Sequence, residues 1–446
     1  MKSPPRAVGA IGDLWTEGGI SMLIGAVADD ITGATDLCLM LSRSGLKTRQ
    51  VIGLPGPQMD LSGADAVVVA LKSRTIPAGD AVELSLKAAK ALRAAGAQRL
   101  MFKYCSTFDS TDHGNIGPVT EALMEFTGTP LTIACPAFPA TGRTVYKGHL
   151  FVGDRLLSES PLKDHPLTPM RDPDLVRVLG RQTTLKVGLI DVTTIRQGEA
   201  ALRKAFETAR SAGTRVVVTD TIDESDLMTL GAACAEMPLI TGGSGIGLGL
   251  AAALRDQSDA HSAPDRMPAP EGRSAILAGS CSVATRGQIA AAQAAGLPSL
   301  ALDVEALTEG RQSADEIADW AIAQPADSTP LIYSSADPAQ LGKIQSRLGR
   351  DASGALVEDT LAAIAERLRD AGFTRMLIAG GETSGAVTTA LGVRLLDIGP
   401  EIDPGVPWTM SLSGPRLALA LKSGNFGAED FFLKAWDLLE PEAEHV

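Results

Sequence analysis

Met22-Leu23-Ile24-Gly25-Ala26-Val27-Ala28-Asp29-Asp30-Ile31-Thr32-Gly33-Ala34 is the stretch on which the fold turns. From Met22 to Ala28 every residue is apolar or glycine, which suits a strand covered on both faces. Two aspartates follow at once, and a helical stretch then runs from about 33 to 44. A buried strand that ends in polar residues and turns into a helix opens a βαβ unit. Working outward, strand-like runs return at 66–70, 99–103, 131–134, 185–189 and 215–218, with helical periodicity over 80–95. A second series has strands at 275–279, 300–304, 331–334 and 376–379, and helices at 285–295 and within 359–371. The expected fold is α/β in two domains, each a mainly parallel sheet flanked by helices. Ligands of such sheets bind beyond the carboxyl ends of the strands, which puts the active site in the interdomain cleft.

At 446 residues the chain is longer than one ordinary core supports. The βαβ cadence lapses over 255–272, a polar, Pro-containing stretch that reads as a linker between domains 22–254 and 273–446. Residues 1–21 carry loose Pro and Gly and no apolar signal core. They read as a disordered extension or as the product of an upstream start codon.

Composition removes several function classes. A net charge of −13 with no basic run argues against a nucleic-acid partner, and 4% aromatic residues leave little for base stacking. Acidity does not exclude ATP, which a few local amides and a metal ion can hold. The cysteines Cys38, Cys105, Cys135, Cys234 and Cys281 are widely spaced with no CxxC pair, so they read as reduced thiols in the cytoplasm and not as disulfides or a zinc site. No run approaches the ~20 apolar residues of a membrane span.

Several clusters carry chemistry. Asp29 and Asp30 at a strand end can accept sugar hydroxyls or share a metal; a helix N-cap would account for one of the two. Lys72-Ser73-Arg74-Thr75 suits an anionic headgroup, and a solvated loop reads it as well. Lys103-Tyr104-Cys105-Ser106-Thr107-Phe108-Asp109 gathers hydroxyls round a lysine and a carboxylate, as a hydroxyl-activating site or as a turn satisfying its own backbone. The region 137–173 is long, irregular and polar, which marks a functional loop. Glycines at Gly242, Gly243, Gly245, Gly247 and Gly249 could approach phosphates or pack helices closely. In the second half Gly279-Ser280-Cys281-Ser282, Gly380-Gly381-Glu382-Thr383-Ser384-Gly385 and Lys422-Ser423-Gly424 offer the amides, hydroxyls and lysine that a triphosphate asks for. No GxxxxGK[ST] string and no early dinucleotide fingerprint occur, which excludes a P-loop enzyme and disfavours an NAD-dependent dehydrogenase.

From Met22 onward these strings resemble the four-carbon acid sugar kinase family. Asp29-Asp30-Ile31-Thr32-Gly33-Ala34 is similar to its opening motif, and Gly380-Gly381-Glu382-Thr383-Ser384-Gly385 to its nucleotide-domain motif. Lys103–Ser110, Asn115-Ile116-Gly117-Pro118 and Asp164-His165-Pro166-Leu167-Thr168-Pro169-Met170 are most similar to the 3-oxo-tetronate 4-kinase subgroup. The resemblance implies a sugar-acid-binding domain at 22–254, a nucleotide-binding domain at 273–446, and transfer of the ATP γ-phosphoryl to a C4 hydroxyl with Mg²⁺. Threonate or erythronate is the alternative substrate, and a non-catalytic sugar-acid sensor the alternative class. Carried over by motif, Asp29 or Asp109 would act on the hydroxyl. Asp30, Arg74, Lys103, Ser106 and Thr107 would line the sugar-acid site, with Arg74 and Lys103 on the carboxylate. Ser280, Ser282, Gly380, Gly381, Glu382, Thr383, Ser384 and Gly424 would hold ATP. No metal-ligating set of the protein's own is expected, and a homodimer is left open.

Overall fold

The computed structural model describes residues 22–56, 59–164, 168–258, 265–334 and 350–441. In the first half the strands are β1 (Ile24–Ala28), β2 (Thr48–Ile52), β3 (Ala66–Ala70), β4 (Arg99–Lys103), β5 (Thr132–Cys135), β6 (Arg143–Tyr146), β7 (His149–Val152), β8 (Arg155–Leu156), β9 (Val187–Ile190), β10 (Val216–Thr219) and β11 (Leu239–Gly242). The second half adds β12 (Met267–Ala269), β13 (Arg273–Ala278), β14 (Ser299–Ala301), β15 (Leu331–Tyr333), β16 (Phe373–Ala379), β17 (Leu395–Asp403), β18 (Val406–Ser411), β19 (Ala418–Lys422) and β20 (Leu439–Pro441). β1 and β3 are buried along their whole length, as the unbroken apolar runs require of parallel strands with helices on both faces.

The two halves do not keep separate sheets. A single 15-stranded sheet runs in the order β14-β15-β13-β16-β19-β18-β17-β2-β3-β1-β4-β11-β5-β10-β9. The seam is β17 lying antiparallel to β2, with Leu395 opposite Val51 and Asp397 opposite Arg49. Arg394 reinforces the join: its carbonyl accepts from the Ile52 N–H at 2.9 Å and its guanidinium donates to the Leu54 carbonyl at 2.6 Å. A buried core is likewise shared, running from Leu37 through Leu250 to Ile364 and Leu421. Separate cleft-forming sheets were expected because periodicity locates strands and says nothing about which edges meet.

Two other expectations change. The stretch read as a linker contains β12, which pairs with β20, and residues 259–264 of it lie outside the described residues. The region 137–173 is not structureless: β6, β7 and β8 form a small antiparallel sheet followed by short 3-10 turns. The predicted extension 1–21 and His165-Pro166-Leu167 lie outside the described residues. Among the described residues no helix is long and apolar enough to cross a membrane.

Helix α1 (Ile31–Arg43) places the site. It packs on the helix Gly245–Leu254 of its own half and on β17, β18 and the helix Gly381–Ala390 of the other. A Cβ on Gly247 would fall 2.6 Å from Leu37 Cδ1, and one on Gly249 2.0 Å from the Leu227 carbonyl oxygen. The glycines at 242–249 therefore serve close packing, and no phosphate site is built from them.

Candidate active site

A cavity of about 720 Å³ opens where the carboxyl ends of β1, β3 and β4 face the start of the helix Gly381–Ala390. Asp29, Asp30, Lys72, Arg74, Lys103, Ser106, Thr107 and Asp109 line it from the first half. Gly381, Glu382, Ser423, Asn425 and Phe426 line it from the second.

The paired aspartates divide their work. Asp30 is the N-cap of α1: its Oδ2 accepts from the Gly33 N–H at 3.2 Å and from the Thr32 hydroxyl at 3.0 Å. Gly33 has to be bare, since a Cβ there would meet Asp30 Oδ1 at 2.2 Å and Lys103 Nζ at 2.7 Å. Asp29 instead receives a bidentate fork, Arg74 Nε to Oδ2 at 3.0 Å and Nη2 to Oδ1 at 2.7 Å. Arg74 Nη2 also reaches Asp30 Oδ1 at 2.6 Å. Burial raises Asp29 above the usual carboxylate range against the opposing pull of Arg74. For Asp30 burial opposes ionisation, but Arg74, Lys103 and the cap bond outweigh it and hold the group low. Arg74 was expected to be free for a substrate carboxylate. Its Nε and Nη2 edge is already committed to Asp29 and Asp30, while Nη1 lies 3.8 Å from Asp109 Oδ2.

Asn115 fixes the Arg74 loop, and motif reading gave it no role in the site. Its amide nitrogen donates to the carbonyls of Ser73, Arg74 and Ile76 at 2.6, 3.2 and 3.0 Å. Asn115→Ala should lower stability by about 1–3 kcal/mol, the cost of leaving buried carbonyls unmet. It should also raise KM for the sugar acid with little change for nucleotide, as steady-state kinetics on the folded variant would read.

Lys103 is buried and donates to the Tyr104 carbonyl at 3.0 Å. Beyond it the chain turns sharply, with Phe108 in left-handed backbone (φ 54°) and its ring edge-on to Tyr104 at 5.5 Å. Burial of Phe108 holds that costly conformation and swings its neighbours into the cavity. There Thr107 donates to Asp109 Oδ1 at 2.6 Å. Cys105 is pushed up to about 12 by burial and the Asp109 charge, so it stays a thiol and is no nucleophile.

The second-half residues form a layer that only partly reaches the cavity. The Ser282 hydroxyl caps its helix through the Thr285 N–H and donates to the Gly424 carbonyl. A Cβ on Gly424 would meet Ser280 Oγ at 2.5 Å. Gly380 takes φ 130° and leads into the helix Gly381–Ala390 without a side-chain cap. Thr383 and Ser384, expected on the nucleotide, turn inward. Thr383 Oγ1 packs under Gly279 and Gly380, and Ser384 Oγ is buried without a partner among the described residues. The cause is the helical phase, which aims both side chains at the core while Gly381 and Glu382 face the cavity. Lys422 is not a free phosphate lysine either. Its buried ammonium donates to Thr285 Oγ1 and to the carbonyls of Ser423, Gly424 and Phe426 at 2.9–3.1 Å. Burial drives it down to about 7.

Lys72 crosses between the halves to Glu382 at 2.7 Å, with side chains 52% and 64% exposed. At that exposure the pair is worth at most about 1 kcal/mol, so it is readily exchanged for another partner.

Residues 24–250 match a sugar-binding N-terminal domain family and residues 275–432 a nucleotide-binding C-terminal domain family. The chain is 52% identical to a Burkholderia multivorans protein named 3-oxo-tetronate kinase, over 94% of this chain and 98% of that one. A crystal structure from Salmonella typhimurium, described as a tRNA synthase, is 42% identical with a TM-score of 0.84, covering 93% of this chain and 98% of that one. A second, from Haemophilus influenzae, is 41% identical with a TM-score of 0.76, covering 93% and 99%.

Proposed function

Since the chain belongs to the four-carbon acid sugar kinase family, we propose that it transfers the γ-phosphoryl of ATP to the C4 hydroxyl of a 3-oxo-tetronate, releasing ADP and the 4-phosphate. The observation that carries this reading is the shared cavity, ionic on its first-half wall and bounded by a bare helix start on the other.

Lys103 is the receptor for the substrate carboxylate. Its ammonium spends one donor on Tyr104 and has no carboxylate within ion-pair distance among the described residues, so donors remain for an incoming anion. Arg74 Nη1 adds a second cationic edge, while Asp29 and Asp30 fix that guanidinium in place. Ser106, Thr107 and Asp109 are placed to bond the hydroxyls and orient the acceptor. On the other wall the uncapped N–H groups at Gly381 and Glu382 suit a phosphate. Behind them the Ser280, Ser282 and Gly424 layer sets the loop, with Gly424 bare so that backbone can approach. Once Lys72 leaves Glu382 it can follow the transferred group.

Mg²⁺ on the triphosphate would neutralise the charge that develops during transfer. Among the described residues no group of three or more Asp, Glu, His or Cys is set to hold a metal. That fits an ion carried mainly by phosphates and water, with Glu382 as the nearby exposed carboxylate. We place this chemistry in the cytoplasm, where ATP is available and the free cysteines stay reduced.

The test is ADP release by purified protein with MgATP and a panel of 3-oxo-tetronates, threonates and erythronates. Turnover on a 3-oxo-tetronate alone is expected. Turnover only on a hydroxy acid would move the substrate, and no turnover on any would sink the kinase reading in favour of a sensor.

A further inference from the structure

Asp36 lies on α1, two turns inside the capped end, and motif reading passed it over. It is 5% exposed and lines the cavity. Its Oδ1 is buried and has no hydrogen-bond partner among the described residues. Gly405, at the turn from β17 to β18, brings bare backbone against it from the second half; a Cβ there would sit 2.9 Å from Oδ1. The Ser244 hydroxyl lies close enough to favour the charged form, but makes no well-aligned hydrogen bond to it and has no partner among the described residues.

A buried carboxylate oxygen that accepts nothing is costly to keep and calls for a partner that arrives later. Each of the other carboxylates on the cavity wall has at least one partner. Both oxygens of Asp29 accept from Arg74. Asp30 accepts from Arg74, Thr32 and Gly33. Asp109 Oδ1 accepts from Thr107 while its Oδ2 only faces Arg74 Nη1 at 3.8 Å, and Glu382 is paired with Lys72. A general base needs lone pairs not already spent on the protein, and Asp36 lines the cavity with a carboxylate that accepts no hydrogen bond among the described residues.

Resting on the kinase reading, we propose that Asp36 is the catalytic base that takes the proton from the C4 hydroxyl as that oxygen attacks the γ-phosphorus. The new bond joins the hydroxyl oxygen to γ-phosphorus. The bond from γ-phosphorus to the β,γ-bridging oxygen breaks, and its electron pair leaves on ADP. The hydroxyl proton passes to the Asp36 carboxylate and then to water.

Electrostatics suits the task. Burial raises Asp36 to about 6; Lys103 and Ser244 favour its charged form, while Asp30 and Glu401 oppose it. The charged form is the base, so turnover falls as pH drops through the region of 6 and is full above it. Because the folded group holds its proton more tightly than the ordinary carboxylate, its ionisation works against stability above that region. Removing the charge should therefore not unfold the protein at pH 8.

The experiment is kcat against pH from about 4.5 to 8.5 with MgATP and 3-oxo-tetronate, for wild type, Asp36→Asn, Asp109→Asn and Glu401→Gln. In Asp36→Asn, kcat should fall at least about 100-fold and the acid limb should vanish from the residual rate. ADP affinity should stay within about threefold and the apparent Tm at pH 8 should be no lower than wild type. An Asp36→Asn enzyme with kcat within about threefold of wild type, or one that keeps the limb, would falsify the assignment. So would an Asp109→Asn enzyme that alone loses the limb. If Asp36→Asn does not fold, Glu401→Gln decides: it removes a charge that raises Asp36, so the limb midpoint should move down with the plateau unchanged. A midpoint that stays put overturns the proposal. Wild-type silence on every sugar acid is a separate result, which removes the kinase reading itself.

Discussion

Arg74→Ala should lose essentially all turnover and about 3–5 kcal/mol of folding stability together, because the substitution strands two carboxylates. Asp29 and Asp30 have side chains 7% and 24% exposed, and both lean on the one Arg74 Nη2. With the guanidinium gone, the pair faces its own repulsion in a poorly solvated wall, and each group recovers only by taking up a proton. Sequence reading pictures Arg74 as a free hand for substrate, so its removal would raise the sugar-acid KM severely and leave ATP affinity near normal. The bidentate geometry predicts otherwise, and urea unfolding of the variant separates the two. The compensating double variant Asp29→Asn/Arg74→Met should regain much of the stability and none of the activity. If Arg74→Ala unfolds at the wild-type urea midpoint, the ion cluster is not what organises this wall.

Lys422→Met should raise the Kd for ADP at least about tenfold while the sugar-acid site binds as before. Two effects oppose each other in its stability. Losing the ammonium leaves the Thr285 hydroxyl and the carbonyls of Ser423, Gly424 and Phe426 short of a donor, at about 1–3 kcal/mol for each buried group that finds no water. Removing a buried charge gives part of that back. The pH dependence has a definite sign. The folded ammonium titrates near 7 and the unfolded one near 10.5, so the cost of burying the charge is complete below 7 and fades as pH rises towards 10.5. Wild type should therefore gain stability relative to Lys422→Met across that window. Calorimetric titration of ADP and thermal melts at pH 6.5 and 9.5 check both statements. Unchanged ADP affinity would mean that the Ser423–Phe426 loop takes no part in nucleotide binding.

Much of this site was readable before any coordinates. Asp29, Asp30, Arg74, Lys103, Ser106, Thr107 and Asp109 come together because each lies at or just beyond the carboxyl end of a parallel strand, and that rule depends on topology alone. Three things escaped. Asp36 sits in mid-helix, where a carboxylate ordinarily faces solvent; the signal was a charge on the stripe shared with Leu37, Met40 and Leu41, which are all buried. The inward phase of Thr383 and Ser384 depends on where the helix begins, and boundaries are what pattern reading fixes worst. Lys422 looked like a phosphate ligand because its neighbours are Ser and Gly, yet as the last residue of β19 it points into the core. Sequence marks which residues are chemically able, and the phase of each element decides which of them face the substrate.

The seam between β2 and β17 has a consequence for how the polypeptide is made. β2 is complete once residue 52 has been synthesised, but the strand that covers its outer edge ends at Asp403. At about 5–20 residues per second, the nascent chain carries that edge uncovered for roughly 20–70 seconds. An uncovered strand edge is a template for whatever extended chain it meets, including a neighbour on the same messenger. A translation product cut short anywhere before β17 would keep the hazard for good, whereas the complete chain closes it from within. The late strand is thus both the bond between the halves and the end of the protein's most exposed period during synthesis.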